Sequence, residues 1–182
     1  MLEALAAKAL ALMASLSMFL FSSYSGNDPS LSVLRGVSGK SYLQLETRLI
    51  GAFENDFVDV FKSGAPIPVN YTVEIRSKGK IKGTRAFSNV VRYDSRSNSY
   101  KIIQSGSGRT SHTSSYQTML EEVSLLECSL PIETSWGEVK VRLETWLPTV
   151  HFDQIDRRVD LIVLWKFRRP SVSAVFDLRR LS

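Results

Sequence analysis

The chain has 182 residues, of which 43% are hydrophobic and 23% are charged, and these proportions are ordinary for a globular protein. Its single cysteine, Cys128, excludes an intramolecular disulfide and a cysteine-built zinc site, and we predict that it is a small buried apolar residue. The formal net charge of +5 fits either an anionic partner or simply a soluble surface rich in arginine.

Residues 1–25 differ in composition from the rest of the chain. Lys8 precedes the run from Ala9 to Phe21, which carries no charge, and small polar residues follow it. This pattern predicts a secretory signal, although Glu3 and the lack of an A-x-A cleavage site are unusual. An uncleaved N-terminal membrane anchor and an amphipathic helix packed on the domain are the alternatives. Residues 26–182 are then expected to form one β-rich domain.

The first half of this domain alternates between apolar and polar residues. We predict an irregular strand at Leu31–Val37, followed by regular strands at Tyr42–Ile50 and Val69–Arg76. Between them, Phe53–Ser63 has the apolar spacing of a helix. A hairpin is predicted over Ala86–Tyr93 and Tyr100–Gln104.

The second half contains the segments on which the predicted architecture depends. Ser105–Ser115 is rich in serine and glycine and predicts a flexible loop, after which a helix is expected from Tyr116 to about Glu127. Val139–Leu147 and Val159–Phe167 are predicted to pair as central antiparallel strands, with a last strand at Val172–Leu178. The fold class is therefore α+β and predominantly antiparallel β, with about seven strands in a sandwich-like or curved sheet and two short helices.

Two surface features are candidate binding sites. The first is a basic turn, which could contact lipid headgroups or an acidic protein, or could simply protect a strand edge from aggregation. Its residues are Arg76, Lys78, Lys80, Lys82 and Arg85. The second is Trp146, which lies on the polar phase of its strand and would contact a partner protein or a membrane unless the second helix covers it. A nucleic-acid partner is not expected if the chain is exported.

The two histidines, His112 and His151, are the only candidates for acid–base chemistry. A hydrolase would need one of them beside a carboxylate such as Asp153 or Asp156, but no catalytic or metal-binding motif surrounds either residue. The competing interpretation is that both are surface residues in loops. We assign no cofactor, no metal and no catalytic residue from the sequence.

Several short motifs occur in a characteristic order. Gly64-Ala-Pro66 precedes an alternating strand, a hairpin joins Tyr93 to Tyr100, and Val139–Pro148 precedes a strand that contains Trp165. This order resembles an uncharacterised bacterial family, domain of unknown function 4390, over roughly Leu31 to Phe176. The resemblance implies an exported or membrane-anchored protein and brings no activity with it. The serine- and glycine-rich segment 105–115 and the basic turn depart from the family pattern.

The function that these observations favour is binding. We predict a non-enzymatic, exported domain of the cell envelope, periplasmic or anchored to the inner membrane, that binds a protein partner or an anionic lipid surface. The alternative is an envelope hydrolase that uses His112 or His151 with a nearby carboxylate.

Overall fold

The structure, a computed structural model, describes residues 26–54, 57–153 and 155–179. The predicted leader, residues 1–25, lies outside these ranges. Within them the chain forms twelve strands, two α-helices and two 3-10 helices. The strands are β1 (Ser30–Leu31), β2 (Arg35–Ser38), β3 (Tyr42–Ile50), β4 (Ile67–Ser77), β5 (Lys80–Asp94), β6 (Ser99–Gln104), β7 (Arg109–Thr113), β8 (Leu125–Pro131), β9 (Glu138–Trp146), β10 (Thr149–Phe152), β11 (Arg157–Asp160) and β12 (Ser171–Asp177). The α-helices are α1 (Phe57–Lys62) and α2 (Tyr116–Ser124), and the 3-10 helices span Thr134–Trp136 and Leu161–Trp165.

The larger of the two main sheets has six antiparallel strands in the order β12-β9-β4-β5-β6-β7. The predicted strand Val139–Leu147 is confirmed as β9, which lies between β4 and β12. Its alternate residues Val139, Val141 and Leu143 are fully buried, whereas Lys140 and Arg142 between them are exposed. Side chains alternate between the faces of a strand, so this sheet has one face on the core and one in solvent.

The prediction that Val159–Phe167 forms a strand paired with β9 is wrong. The first residues of this segment belong to β11, which pairs with β10 in a separate two-stranded sheet, and the rest forms the 3-10 helix Leu161–Trp165. The Asp160 side chain caps this helix by accepting a hydrogen bond from the Ile162 amide at 3.3 Å. A short run that is apolar on both faces fits a buried strand and a buried helical turn equally well, so periodicity does not separate them.

The second main sheet covers part of the inner face of the first. In it β3 pairs with β8 along one edge and with β2 along the other, and β1 pairs with the end of β3. The irregular strand predicted at Leu31–Val37 is thus divided between β1 and β2. At one side the two sheets approach closely, because a Cβ atom at Gly36 of β2 would lie 2.5 Å from the Phe176 ring of β12.

The predicted second helix ends earlier than the sequence indicates. It stops at Ser124, and β8 begins at the next residue, so Leu125–Glu127 is strand rather than helix. The carbonyl groups at this junction have no partner within the helix and are buried. Side chains of the large sheet donate hydrogen bonds to them. Asn89 donates to the carbonyls of Val123 at 3.0 Å and Leu125 at 2.7 Å, and Gln104 donates to that of Glu122 at 2.8 Å.

The serine- and glycine-rich segment is also more ordered than predicted. Arg109–Thr113 forms β7, so Ser105–Ser115 is mostly a hairpin with β6 rather than a flexible loop. Its turn packs against β8, since a Cβ atom at Gly106 would lie only 2.3 Å from the Glu127 carbonyl oxygen. Glycine is required at position 106 by this close approach of two backbones.

The remaining predictions of fold are confirmed in outline. The apolar stripe of the first predicted helix is buried, with ring centroids 5.0 Å apart for Phe53 and Phe57, although α1 itself begins only at Phe57. The buried apolar residues form one cluster between the two main sheets and the helices. The fold class is α+β with mostly antiparallel strands and two short helices, as predicted, and the large sheet is curled, but the described residues form twelve strands where the sequence predicts about seven.

We expect Asn89→Leu to lower the free energy of unfolding by about 1–3 kcal/mol, because the Val123 and Leu125 carbonyls lose their shortest side-chain donor and keep only longer bonds, from Tyr71 at 3.5 Å and from Gln104 at 3.3 Å. Urea denaturation followed by circular dichroism measures this change. Thr110→Ala, on the exposed face of the same sheet, is the control and should stay within about 0.5 kcal/mol of the parent. An Asn89→Leu protein as stable as the parent would contradict the role given to this side chain.

We expect Gly106→Ala to cost about 1–3 kcal/mol, because the added methyl group collides with backbone rather than with a movable side chain. Gly83→Ala is a matched control, since a Cβ atom at Gly83 meets no atom within 4 Å. Thermal unfolding of the two variants should show a lower midpoint for Gly106→Ala only. Equal midpoints would mean that the turn moves freely away from β8.

Candidate functional site

The structure distributes the predicted basic turn over two faces of the large sheet. Lys78 and Gly79 form the tight turn between β4 and β5, with φ values of 49° and 77°. Arg76 lies before the turn and forms an ion pair with Glu74, and the hydrogen bond between them lowers the pKa of Glu74. Lys82 and Arg85 instead line a cleft at the opposite face. The five cations therefore do not form one continuous patch.

The cleft next to the turn has a volume of about 370 Å³ and opens between the two main sheets. Its walls are apolar and come from both sheets and from the 3-10 helix after β8, through Val73, Ile75, Leu130, Ile132 and Trp136. Its rim is charged, with Lys82 and Arg85 on one strand and Glu133 beyond the other. Such a combination suits a ligand that is partly apolar and partly acidic.

The cleft exists because β5 is much longer than its neighbour β6. The pairing between them covers only Asn89–Asp94 of β5, so the preceding half of β5 is paired with β4 alone. On the other side of the cleft, β8 pairs with β3 along one edge, and no described strand pairs with its other edge. Two strand edges with no described partner strand therefore face the same opening.

The backbone groups along the open edge of β5 can be located from Ser88. Its amide donates to the Ser105 hydroxyl at 2.7 Å, and its carbonyl accepts from the Ser105 amide at 3.0 Å, so both groups point away from β4. Because this direction alternates along an antiparallel strand, the amides and carbonyls of Thr84 and Ala86 point the same way. They face the open edge, beyond the end of β6.

Two contacts hold the rim of the cleft in place. The Ser77 hydroxyl donates a hydrogen bond of 2.7 Å to the Trp136 carbonyl, which ties the β4–β5 turn to the 3-10 helix. The Lys82 ammonium lies 5.9 Å from the centre of the Trp136 ring. This distance is typical of a cation–π contact. The edge of β5 and the wall of the cleft are thus fixed relative to each other.

Trp146, the second predicted contact residue, lies at the other end of β9 from the cleft. It is half-buried on the outer face of the sheet, opposite Asn70 of β4. The Arg169 guanidinium carbon lies 5.9 Å from the centre of its ring. Part of the indole therefore remains accessible beside a cation.

The two histidines lie in different sheets. His151 in β10 has its Nε2 atom 3.3 Å from Asp153 and 3.6 Å from Asp156, so it is close to both carboxylates that the hydrolase hypothesis names. Both carboxylates are almost fully exposed, at 95% and 97%, and the cluster lies at the exposed turn of the β10–β11 hairpin. His112 in β7 forms no ion pair with a carboxylate in the described part of the chain.

Other reactive groups are placed as follows. Cys128 is buried on the inner face of β8, as predicted, and burial raises the pKa of its thiol to about 12. A thiol with so high a pKa is a poor nucleophile at neutral pH. Among the described residues, no group of three or more histidine, cysteine, aspartate or glutamate side chains could hold a metal ion.

Sequence reasoning missed the cleft itself. The alternation of Val73 and Ile75 predicted that they are buried, but the open edge above them depends on where β6 stops pairing. The one signal in the sequence is Trp136, an aromatic residue that lies outside every predicted strand and helix. Its position beside the cations becomes visible only in the folded chain.

Neither a protein-family model nor a curated protein nor a solved structure matches this chain. The resemblance to domain of unknown function 4390 therefore stays a prediction. One of its features needs correction, because Trp165 belongs to a 3-10 helix and not to a terminal strand.

Proposed function

We propose that this chain is a non-enzymatic binding domain of the cell envelope, and that its partner is a protein segment held in extended form at the cleft between the two main sheets. The observation that carries the proposal is the open edge of β5, which borders an apolar cleft and carries cations. A lipid with an anionic headgroup, the other partner expected from the sequence, becomes an alternative outcome of the experiment below.

An extended segment can bind to such an edge as an additional strand. Its backbone would pair with the outward-facing amides and carbonyls of Thr84 and Ala86, which supply affinity without dependence on sequence. Alternate side chains of the segment would then enter the cleft and meet the wall formed by Val73 and Ile75. Gly83 leaves this approach open, because no atom lies within 4 Å of the position of a Cβ atom there.

The charges around the cleft favour an acidic segment. Lys82 and Arg85 line it directly, whereas Glu133 is the only acid in its lining. Lys78 and Lys80 lie in and directly after the neighbouring turn, where both are exposed. Lysines on an edge strand also prevent uncontrolled pairing with other chains. The same cations would therefore reject most strands and select those with complementary charge.

The location in the envelope rests on residues 1–25, whose composition predicts a signal or an anchor. A C-terminal epitope tag on the full chain, expressed in a bacterial host and followed by fractionation, tests it. We expect the tag in the periplasmic or inner-membrane fraction, and in the cytosol after deletion of residues 1–25. Full-length protein with an intact leader in the cytosol would contradict export.

The alternative function, an envelope hydrolase, has one observation in its favour, the approach of His151 to Asp153 and Asp156. An acid–base pair accelerates a reaction most when its site excludes water and positions the substrate. The exposed hairpin end that carries His151 offers neither property. The geometry at the cleft therefore supports binding more strongly than the geometry at His151 supports catalysis.

Binding at the cleft can be measured with three labelled probes and the full chain. The first is a ten-residue peptide that alternates glutamate and valine, the second has the same composition with all glutamates first, and the third is a dansyl-labelled fatty acid. We expect the alternating peptide to bind best, because only its alternation presents apolar groups to the cleft and charges to the rim. Fluorescence anisotropy gives the dissociation constants.

Two changes in the protein should weaken binding of the alternating peptide. Lys82→Ser with Arg85→Ser should reduce affinity roughly tenfold, as expected for loss of charge-assisted contacts. Ala86→Pro should weaken it by removing an outward-facing amide. Proline is tolerated at such an edge position. The matched control is Arg92→Ser with Lys101→Ser, two exposed cations near the far end of the same sheet.

Equal binding by all these variants, at unchanged circular dichroism, would refute the proposed site. Preferential binding of the fatty acid, with the same dependence on Lys82 and Arg85, would replace the protein segment by a lipid as the partner.

A further inference from the structure

A second surface lies at the opposite end of the molecule from the cleft, in the turn after the 3-10 helix Leu161–Trp165. Residues 166–169, which we call the basic tip, are Lys166, Phe167, Arg168 and Arg169, and all four are exposed. The Phe167 side chain is 72% exposed. Lys166 and Phe167 both have positive φ values, 50° and 60°, a conformation that residues other than glycine rarely adopt.

The exposure of Phe167 is built into the fold and is not a result of a loose loop. Backbone amides of the tip donate to carbonyls of the preceding helix, from Lys166 to Val163 at 2.9 Å, and from Phe167 to Ile162 at 3.0 Å. The helix is fixed in turn by Trp165, which is fully buried and donates from its indole nitrogen to the Ala52 carbonyl at 2.8 Å. The core therefore holds the turn that presents an aromatic ring to solvent.

The basic tip adjoins the point at which the chain enters the domain from residues 1–25. Asn27 donates to the Leu164 carbonyl from its backbone amide at 3.2 Å and from its side chain at 3.3 Å. Asp28 forms an ion pair with Arg168. The uncharged run from Ala9 to Phe21 thus precedes, by a few residues, a segment bound to the tip.

The arginines at the tip can exchange their carboxylate partners for the phosphate groups of an anionic surface. Lys166 has no ion-pair partner among the described residues, while Arg168 faces Asp28 and Arg169 lies 3.9 Å from Glu144. Both arginine side chains remain more than half exposed in these pairs. Exposed ion pairs contribute little to stability, so these guanidinium groups can turn to phosphate oxygens at small cost.

We propose that the basic tip docks on the surface of an anionic bilayer, with Phe167 in the interfacial region and Lys166, Arg168 and Arg169 at the headgroups. An aromatic ring flanked by cations suits this boundary, because the ring leaves water while the charges meet lipid phosphates. Trp146, which stacks against Arg169, lies next to the tip and would reach the same layer. This surface is separate from the cleft, and neither proposal requires the other.

The test places a fluorescent reporter at each end of the full chain. Phe167→Cys or Ile81→Cys, labelled with an environment-sensitive dye, is mixed with vesicles of phosphatidylcholine that contain or lack phosphatidylglycerol. Ile81 is a matched position, because it is an exposed apolar residue, at 54%, beside the basic turn at the opposite end. Cys128 is buried and burial raises the pKa of its thiol, so we expect it to react slowly, and the parent chain treated with the same dye gives the background signal.

We expect a blue shift and quenching by brominated lipid from the dye at position 167 on anionic vesicles, and neither effect from the dye at position 81. Lys166→Glu should abolish the shift at position 167, whereas Lys101→Glu, an exposed cation outside the tip, should leave it unchanged.

Two results would overturn the proposal. The first is a dye at position 167 that stays in water while the full chain co-sediments with anionic vesicles, since the leader alone would then hold the protein. The second is a shift at position 81 without one at position 167, which would make the basic turn the membrane contact. Neither result depends on whether the peptide probe binds the cleft.

Discussion

The interaction on which the rest of the structure depends is the satisfaction of buried carbonyl groups where α2 ends and β8 begins. A helix end normally needs a capping turn or water. Here no turn intervenes, and the amides of Asn89 and Gln104 reach across from the large sheet to take that role. These contacts fix α2 on the β5–β6 part of the sheet and start β8 at a defined position. The pairing of β8 with β3 begins at this junction, where Leu125 lies opposite Arg48.

That placement leaves the molecule open at one end. β5 continues past the end of β6, and β8 runs opposite it without pairing to it, so the sandwich has a gap between two strand edges. A gap of this kind would normally invite aggregation, and the cations along β5 oppose that. The apolar wall behind the edge and the charges in front of it arise from the same mismatch in strand length. The residues that protect this edge are therefore the same ones to which we assign the proposed binding site.

The sequence predicted the alternating segments well and the connections poorly. β3, β4 and β9 were evident because each has one buried face and one face toward solvent. Apolar and polar residues therefore alternate along the strand, and this two-residue period is unambiguous. The run Leu161–Trp165 was misassigned because both of its faces are apolar, and its helical form is decided by the buried indole of Trp165 and its bond to Ala52. The turn at Gly106 looked flexible by composition, yet its glycine is required by contact with β8. The charges of the cleft and the alternation of Val73 and Ile75 are visible in the sequence, but the cleft itself is not, since it depends on which strands fail to pair.

The length of β4 has a consequence for how the two ends of the protein could be used together. From the level of Asn70, opposite Trp146, to Ser77 at the basic turn, the strand rises by about 24 Å. If the basic tip rests on a bilayer with the strands upright, the cleft stands clear of the headgroups by most of that height. A lipid still embedded in the same leaflet would then be out of reach, whereas an unfolded stretch of polypeptide projecting from the membrane, or arriving from the surrounding compartment, would meet the cleft directly. The strand would in this way act as a spacer that decides which molecules the site encounters.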